Sequence, residues 1–208
     1  MTKIKLCGLR QEEDIKTANL LQPDYIGFVF AQSSRRFIDY AAAAQLKKKL
    51  APEIQAVGVF VNEDISIIAN LLQQGIIDAA QLHGQEDEAA IRLLQRQTGK
   101  KIIKAFSIKC ADDVRQAALS PADVVSVEVD PDGAKSCRVS VPDHQLSQLL
   151  RKMTRKYFLA GGLTPANVAA AVRNLQPYGV DVSSGIETNG RKDAVKMDAF
   201  VRAVRNEV

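Results

Sequence analysis

Along the whole chain, short runs of apolar and β-branched residues alternate with longer segments in which apolar residues recur every three or four positions. The runs are Lys3–Cys7, Asp24–Phe30, Gln55–Val61, Ile77–Leu82, Ile102–Ile108, Asp123–Val129, Tyr157–Ala160 and Gly179–Ser183. Each has the length of a strand, and their near-continuous apolar character predicts a sheet covered on both faces. Residues 11–21, 39–50, 64–74, 86–98, 111–118, 144–153, 165–175 and 192–206 have helical spacing. Asp64 precedes the apolar series Ile65, Ile68 and Leu72 and predicts an N-cap. Thr164-Pro165 predicts an N-cap with proline in the first helical position. Gly75 and Gly99 fall where helices should stop. Eight strand–helix units predict a closed (β/α)8 TIM barrel, one domain over residues 1–208. A doubly wound open sheet is the alternative, but it usually has fewer strands. In a barrel the chemistry belongs at the C-terminal ends of the strands, on the loops that lead into the helices.

Composition narrows the class. The chain is 46% hydrophobic and 25% charged, which excludes a disordered or fibrous protein. The N-terminal apolar run is too short for a signal peptide, and no window approaches the roughly 18 apolar residues of a membrane span. The expected location is the cytoplasm. Three widely spaced cysteines (Cys7, Cys110, Cys137) form neither a disulfide framework nor a CxxC metal pair. No metal site is expected. The net charge of +4 is mild, and Lys47-Lys48-Lys49 reads as the solvated face of a helix. No nucleic-acid motif accompanies it.

The polar residues at the strand ends carry the candidate chemistry. Cys7-Gly8 ends the first strand; the thiol is either a small buried apolar group or a base or nucleophile. Arg35-Arg36 follows the second strand, solvated or holding a carboxylate or phosphate. His83-Gly84 ends the fourth, where the imidazole is structural, a substrate contact or a proton carrier. In the sixth strand Ser126, Glu128 and Asp130 share one face, and a carboxyl there fits a general acid. The alternative is that Asp130-Pro131-Asp132-Gly133 is only a turn. The last two strands lead into Gly161-Gly162 and Ser183-Ser184-Gly185. Two such turns in sequence predict a phosphate site.

These residues together resemble the phosphoribosylanthranilate isomerase family of tryptophan biosynthesis. The matching segments are KIKLCGLR, DYIGFVFAQSSRRF, VGVFVNE, QLHG, LAGGLTPANV and VDVSSGIET, between residues 3 and 193. The resemblance implies a cofactor-free Amadori rearrangement of a phosphorylated small molecule. A general acid protonates the furanose oxygen of N-(5-phosphoribosyl)anthranilate, the ring opens to a Schiff base, and a base removes the C2 proton. It implies Cys7 as base, Arg36 on the anthranilate part, and Gly161, Gly162, Ser183, Ser184 and Gly185 around the phosphate. His83 and Asp181 are counted with the substrate-binding residues. The chain departs from the family in one region. The family acid is an Asp ending the sixth strand, followed by a glycine-rich loop that covers the substrate. Here the segment reads VEVDPDGAKSCRVSVPDHQL. Gap-free alignment puts Glu128 at the acid position, whereas keeping the residue type requires a shift to Asp130. Cys110 and Cys137 keep the plain reading of small apolar side chains. Two other functions share parts of this pattern: a histidine-pathway phosphoribosyl isomerase, disfavoured by Cys7, and a barrel that binds a phosphoribosyl ligand without turnover. A monomer or homodimer is expected.

Overall fold

The computed structural model describes residues 1–129 and 144–206. Eight parallel strands close into a barrel: β1 (Lys3–Cys7), β2 (Tyr25–Val29), β3 (Gln55–Phe60), β4 (Ala79–Leu82), β5 (Lys101–Ile108), β6 (Val124–Val129), β7 (Tyr157–Ala160) and β8 (Gly179–Val182). Each is followed by a helix: α1 (Glu12–Leu21), α2 (Tyr40–Lys47), α3 (Ile65–Gln73), α4 (Glu88–Thr98), α5 (Ala111–Leu119), α6 (His144–Lys152), α7 (Val168–Leu175) and α8 (Ala194–Arg205). Successive strands pair in order, and β1 pairs with β8 to close the ring, with Lys5 opposite Asp181.

Alternation along each strand divides the core in two. Ile4, Leu6, Ile26 and Phe28 point outward and meet helix faces such as Ile68, Leu72, Phe200 and Val204. The inward set begins with an apolar base made by Tyr25, Val57, Ala79, Ile103, Val124 and Phe158. Tyr25 and Tyr178 both pack edge-on against Phe158, at 5.4 and 5.6 Å between ring centres, and close the bottom of the barrel. Above this layer the interior turns polar: Lys5, Gln81, Ser126 and Asp181 are all buried. Polar interior positions therefore lie toward the C-terminal mouth.

Short polar side chains set the helix starts. Asp39, Asp64, Asp87 and Asp193 each accept from backbone N–H groups of the first turn, as an N-cap must. Asp64 thus caps α3 as its sequence predicts. Gly75 and Gly99 follow α3 and α4 in the left-handed region. The start of α7 differs from expectation. Thr164–Asn167 forms a turn in which Asn167 Oδ1 accepts from Thr164 N at 2.7 Å, and the helix begins at Val168. Pro165 therefore lies in the turn ahead of the helix rather than in its first position. Ahead of α8, Glu187–Thr188 (β9) and Arg191–Lys192 (β10) form a small antiparallel hairpin. Cys110 is exposed and occupies the N-cap position of α5, beside Asp113, so it is not a buried apolar side chain. Its sequence position carries no sign of this, because strand and helix meet there without a loop residue of distinctive type. Cys137 lies outside the described residues.

Phe200 is the largest side chain of α8 with no exposed surface. Phe200→Ala is expected to lower the unfolding free energy by about 3–5 kcal/mol, measured by chemical denaturation, because the ring leaves a cavity between helix and barrel.

Candidate active site

A cavity of about 350 Å³ opens at the C-terminal end of the barrel. Cys7, Arg36, His83, Glu128, Gly161, Gly162, Asp181, Ser183 and Ser184 all line it. Among the sequence-predicted site residues, Gly185 stands behind this wall, packed against the carbonyl of Leu163. Asp130 lies outside the described residues, so only Glu128 of the two candidate acids has a place in the described site.

Cys7 ends β1, and its sulfur lies over Gly27 of β2. A Cβ at Gly27 would stand 2.6 Å from Sγ, so glycine there makes room for the thiol. The chain then turns at Gly8, whose φ of +81° suits glycine. Arg36 lies across this turn; a Cβ on Gly8 would meet its Cδ at 2.5 Å. Burial pushes the Cys7 thiol above its ordinary range, although Lys5 and Lys192 oppose the shift.

Arg36 is held by Glu187, which accepts from Nε at 2.7 Å and from Nη2 at 2.8 Å. This fork fixes the guanidinium plane while leaving Nη1 outside it. Lys192 donates to the same carboxylate at 2.7 Å and to Ser183 O at 2.9 Å. Burial works against ionising Glu187, but Arg36 and Lys192 outweigh it and hold the carboxyl down at about 2. Neither Glu187 nor Lys192 stands at a strand end, so strand-end reasoning missed both. The signal available was Asn189-Gly190, a two-residue hairpin turn that brings them together.

On the other side of the mouth, His83 Nε2 and Glu128 Oε2 are 3.3 Å apart. Burial disfavours the Glu128 carboxylate, yet the adjacent imidazole holds the carboxyl below the usual glutamate range. The hydrogen bond to Glu128 raises His83 in turn. The turn after His83 is anchored from behind. Glu86 accepts from Asn62 N at 2.8 Å and Gly84 N at 2.9 Å, and Lys104 donates to Gly84 O at 2.6 Å and to Glu86 at 2.9 Å.

Below the thiol lies an ion pair that sequence reasoning did not include. Lys5 Nζ donates to Asp181 Oδ2 at 2.5 Å, and the lysine side chain is 0% exposed. Asp181 Oδ1 is buried with no protein partner among the described residues, so this carboxylate retains capacity for another donor. The signal for Lys5 was its spacing of two from Cys7, which puts both on the inward face.

The His83–Glu128 pair has a defined pH window. Its His83 contribution is complete below the ordinary histidine value of about 6.5 and is lost as pH rises through the raised folded value. Its Glu128 contribution is present above the ordinary glutamate value of about 4.3 and is lost as pH falls through the depressed folded value. The charged pair therefore persists between the depressed folded value of Glu128 and the raised folded value of His83. NMR titration of the imidazole is expected to give a midpoint above the ordinary value, and Glu128→Gln is expected to bring it down. The protein has 2 histidines, so His144→Gln assigns the signals.

Comparison with known proteins places this geometry. The family model for N-(5'phosphoribosyl)anthranilate isomerase matches residues 4–203. The N-(5'-phosphoribosyl)anthranilate isomerase of Endomicrobium trichonymphae is 41% identical over 206 residues, covering 99% of this chain and 100% of that one. The crystal structure of phosphoribosyl anthranilate isomerase from Thermotoga maritima superposes with a TM-score of 0.88 at 30% identity, covering 99% of this chain and 100% of that one. A phosphoribosyl anthranilate isomerase crystallised with reduced 1-(o-carboxyphenylamino)-1-deoxyribulose 5-phosphate gives a TM-score of 0.87 at 29% identity, covering 99% and 100%. The chain belongs to the N-(5'-phosphoribosyl)anthranilate isomerase family.

Proposed function

We propose that this protein converts N-(5-phosphoribosyl)anthranilate into 1-(2-carboxyphenylamino)-1-deoxyribulose 5-phosphate, an isomerase step of tryptophan biosynthesis. The observation that carries the reading is the meeting of Cys7, Glu128 and the two turns after β7 and β8 around one cavity. That cavity offers a thiol, a carboxyl and a glycine- and serine-lined wall to a single bound molecule. The relative crystallised with a reduced form of that product supports the same assignment.

In this reading the phosphate rests on the turns at Gly161-Gly162 and Ser183-Ser184, with Gly185 supporting the second turn from behind. Gly161 and Gly162 have φ of +91° and +58°. Such a backbone turns its N–H groups in a way that side-chain-bearing residues rarely match. Arg36, held flat by Glu187, faces the anthranilate carboxylate. Asp181 Oδ1 accepts from a donor on the sugar.

Glu128 delivers a proton to the furanose oxygen, the C1–O bond breaks, and the anthranilate nitrogen lone pair forms the iminium. The proton comes from the His83–Glu128 pair, which acts as a unit across its 3.3 Å contact. His83 passes it through Nε2, and Glu128 passes it from Oε2 to the sugar. Cys7 then takes the C2 proton as thiolate. The C–H electron pair becomes the C1=C2 double bond, the iminium nitrogen is neutralised, and the resulting enolamine tautomerises to the ketone. No step needs a redox partner, since the aldose carbon is reduced as its neighbour is oxidised.

Loss of a general acid or base costs roughly 10²–10⁴ in rate. Cys7→Ser and Glu128→Gln are each expected to lower kcat by that order in a coupled fluorescence assay, while Asp130→Asn leaves kcat within about threefold. Full activity in Cys7→Ser sinks the proposed base. Full activity in Glu128→Gln with loss in Asp130→Asn moves the acid to Asp130. Complementation of a strain lacking the isomerase tests the whole assignment, and failure despite soluble expression favours a binding protein without turnover.

A further inference from the structure

Lys5 takes no part in the steps above, yet it is fully buried two residues from the thiol on the same strand. The layer beneath it is filled by Tyr25, Val57, Ile103 and Phe158, so an apolar side chain is the ordinary occupant of this interior. An ammonium buried there loses its hydration, and a partner carboxylate does little more than compensate. A well-packed apolar pair would serve packing equally well. The position is therefore better explained by what the charge does to its neighbours.

Lys5 and Cys7 are two residues apart on β1 and share its inward face. Asp181, the register partner of Lys5 on β8, binds the ammonium from one side. Gly27 lets the Cys7 sulfur settle over the neighbouring strand, within the cavity wall. The charged groups that act on the thiol are Lys5 from its own strand, Asp181 from β8 and Lys192 from β10. Arg36, from the loop after β2, also senses it. After burial itself, Lys5 exerts the largest influence on the thiol, and it exceeds that of Asp181.

We propose that Lys5 is a positioning residue for the base: clamped by Asp181, its ammonium stabilises the Cys7 thiolate that accepts the C2 proton. This rests on the isomerase reading for its role in turnover, though not for the effect on the thiol. The balance is simple. The thiol proton leaves to water through the open mouth before substrate binds. Sγ then takes the C2 proton and becomes a thiol again. Lys5 keeps its proton throughout, so it acts only through its charge.

The test follows Cys7 alkylation by iodoacetamide as a function of pH, read on the Cys7 peptide by mass spectrometry. This separates it from Cys110 and Cys137 and needs no turnover. Asp181→Asn removes the carboxylate that raises the thiol and leaves the ammonium that lowers it, so its alkylation midpoint is expected to fall below wild type. Adding Lys5→Met to Asp181→Asn is expected to raise the midpoint by at least about one pH unit above the single variant. Below both midpoints that corresponds to labelling about tenfold slower. Should Asp181→Asn fail to fold, the double variant, with no charge at either position, is compared with wild type and is expected to lie above it. A folded double variant whose midpoint matches its comparator overturns the proposal. A wild-type protein without isomerase activity overturns the functional reading instead, and the alkylation comparison still decides the role of Lys5.

Discussion

Closing an eight-stranded barrel brings its first strand against its last, and here that seam carries a buried ion pair. Lys5 and Asp181 are register partners on β1 and β8. Neither can be changed alone without leaving an uncompensated charge, and breaking such a pair costs about 3–5 kcal/mol. The pair also marks the level at which the interior changes character. Below it, aromatic and aliphatic side chains pack the barrel shut; above it stand the thiol, the imidazole and the carboxyls of the cavity. Everything at the mouth is therefore built on a floor that is buried, packed and paired in charge. In such a place a nearby charge acts with little screening.

The charged groups at the mouth follow the same rule of local pairing. Arg36 is balanced by Glu187, which also takes Lys192; His83 is balanced by Glu128. Each cation is thereby oriented before any ligand arrives, which is the condition for electrostatic preorganisation. The second ring of contacts is equally specific. Lys192 links Glu187 to the carbonyl of Ser183, while the Ser183 hydroxyl donates to Cys7 O at 3.1 Å. One continuous set of bonds thus ties the anchor of Arg36 to the strand end that carries the thiol. Displacing the hairpin β9–β10 would disturb both at once.

Much of this was legible in the chain. The strand runs match the observed strands to within about two residues, because a buried parallel strand needs an uninterrupted apolar run and the turns that end it are polar. Cys7, Arg36, His83 and the two glycine and serine turns could be found by position alone, since a barrel places its chemistry at strand ends. Lys5 could not. A lysine in KIKLC ordinarily signals an exposed edge, and only closure of β1 onto β8 reveals the carboxylate across from it. Glu187 and Lys192 were hidden for a related reason: the segment from 192 onward carries helical spacing, which masked the short hairpin ahead of α8. The later start of α7 was missed because Thr164-Pro165 satisfies the sequence rule for a helix start, while the Asn167 side chain closes a turn back onto Thr164 N. A local pattern gives the presence of a helix start, and the turn ahead of it shifts the residue at which the helix begins.

The carboxyl at position 128 joins these strands of argument. Its place is fixed by register, opposite Ser107 on β5 and Ala160 on β7. Gap-free alignment with the family sets an Asp at this point, and a Glu adds one rotatable bond whose freedom must be restrained for its carboxyl to hold one position. His83 supplies that restraint through the 3.3 Å contact. His83 is itself held because Glu86 and Lys104 lock the turn that follows it onto β5. The Glu128 carboxyl thus relies on a chain of contacts running through β4 and β5 rather than on its own backbone alone. It follows that Glu128 and His83 act as one group: shortening the carboxyl removes the partner that raises the proton affinity of the imidazole, and removing the imidazole frees the carboxyl to rotate. Their effects on any function of this cavity should therefore be less than additive, as for two residues that share a single contact.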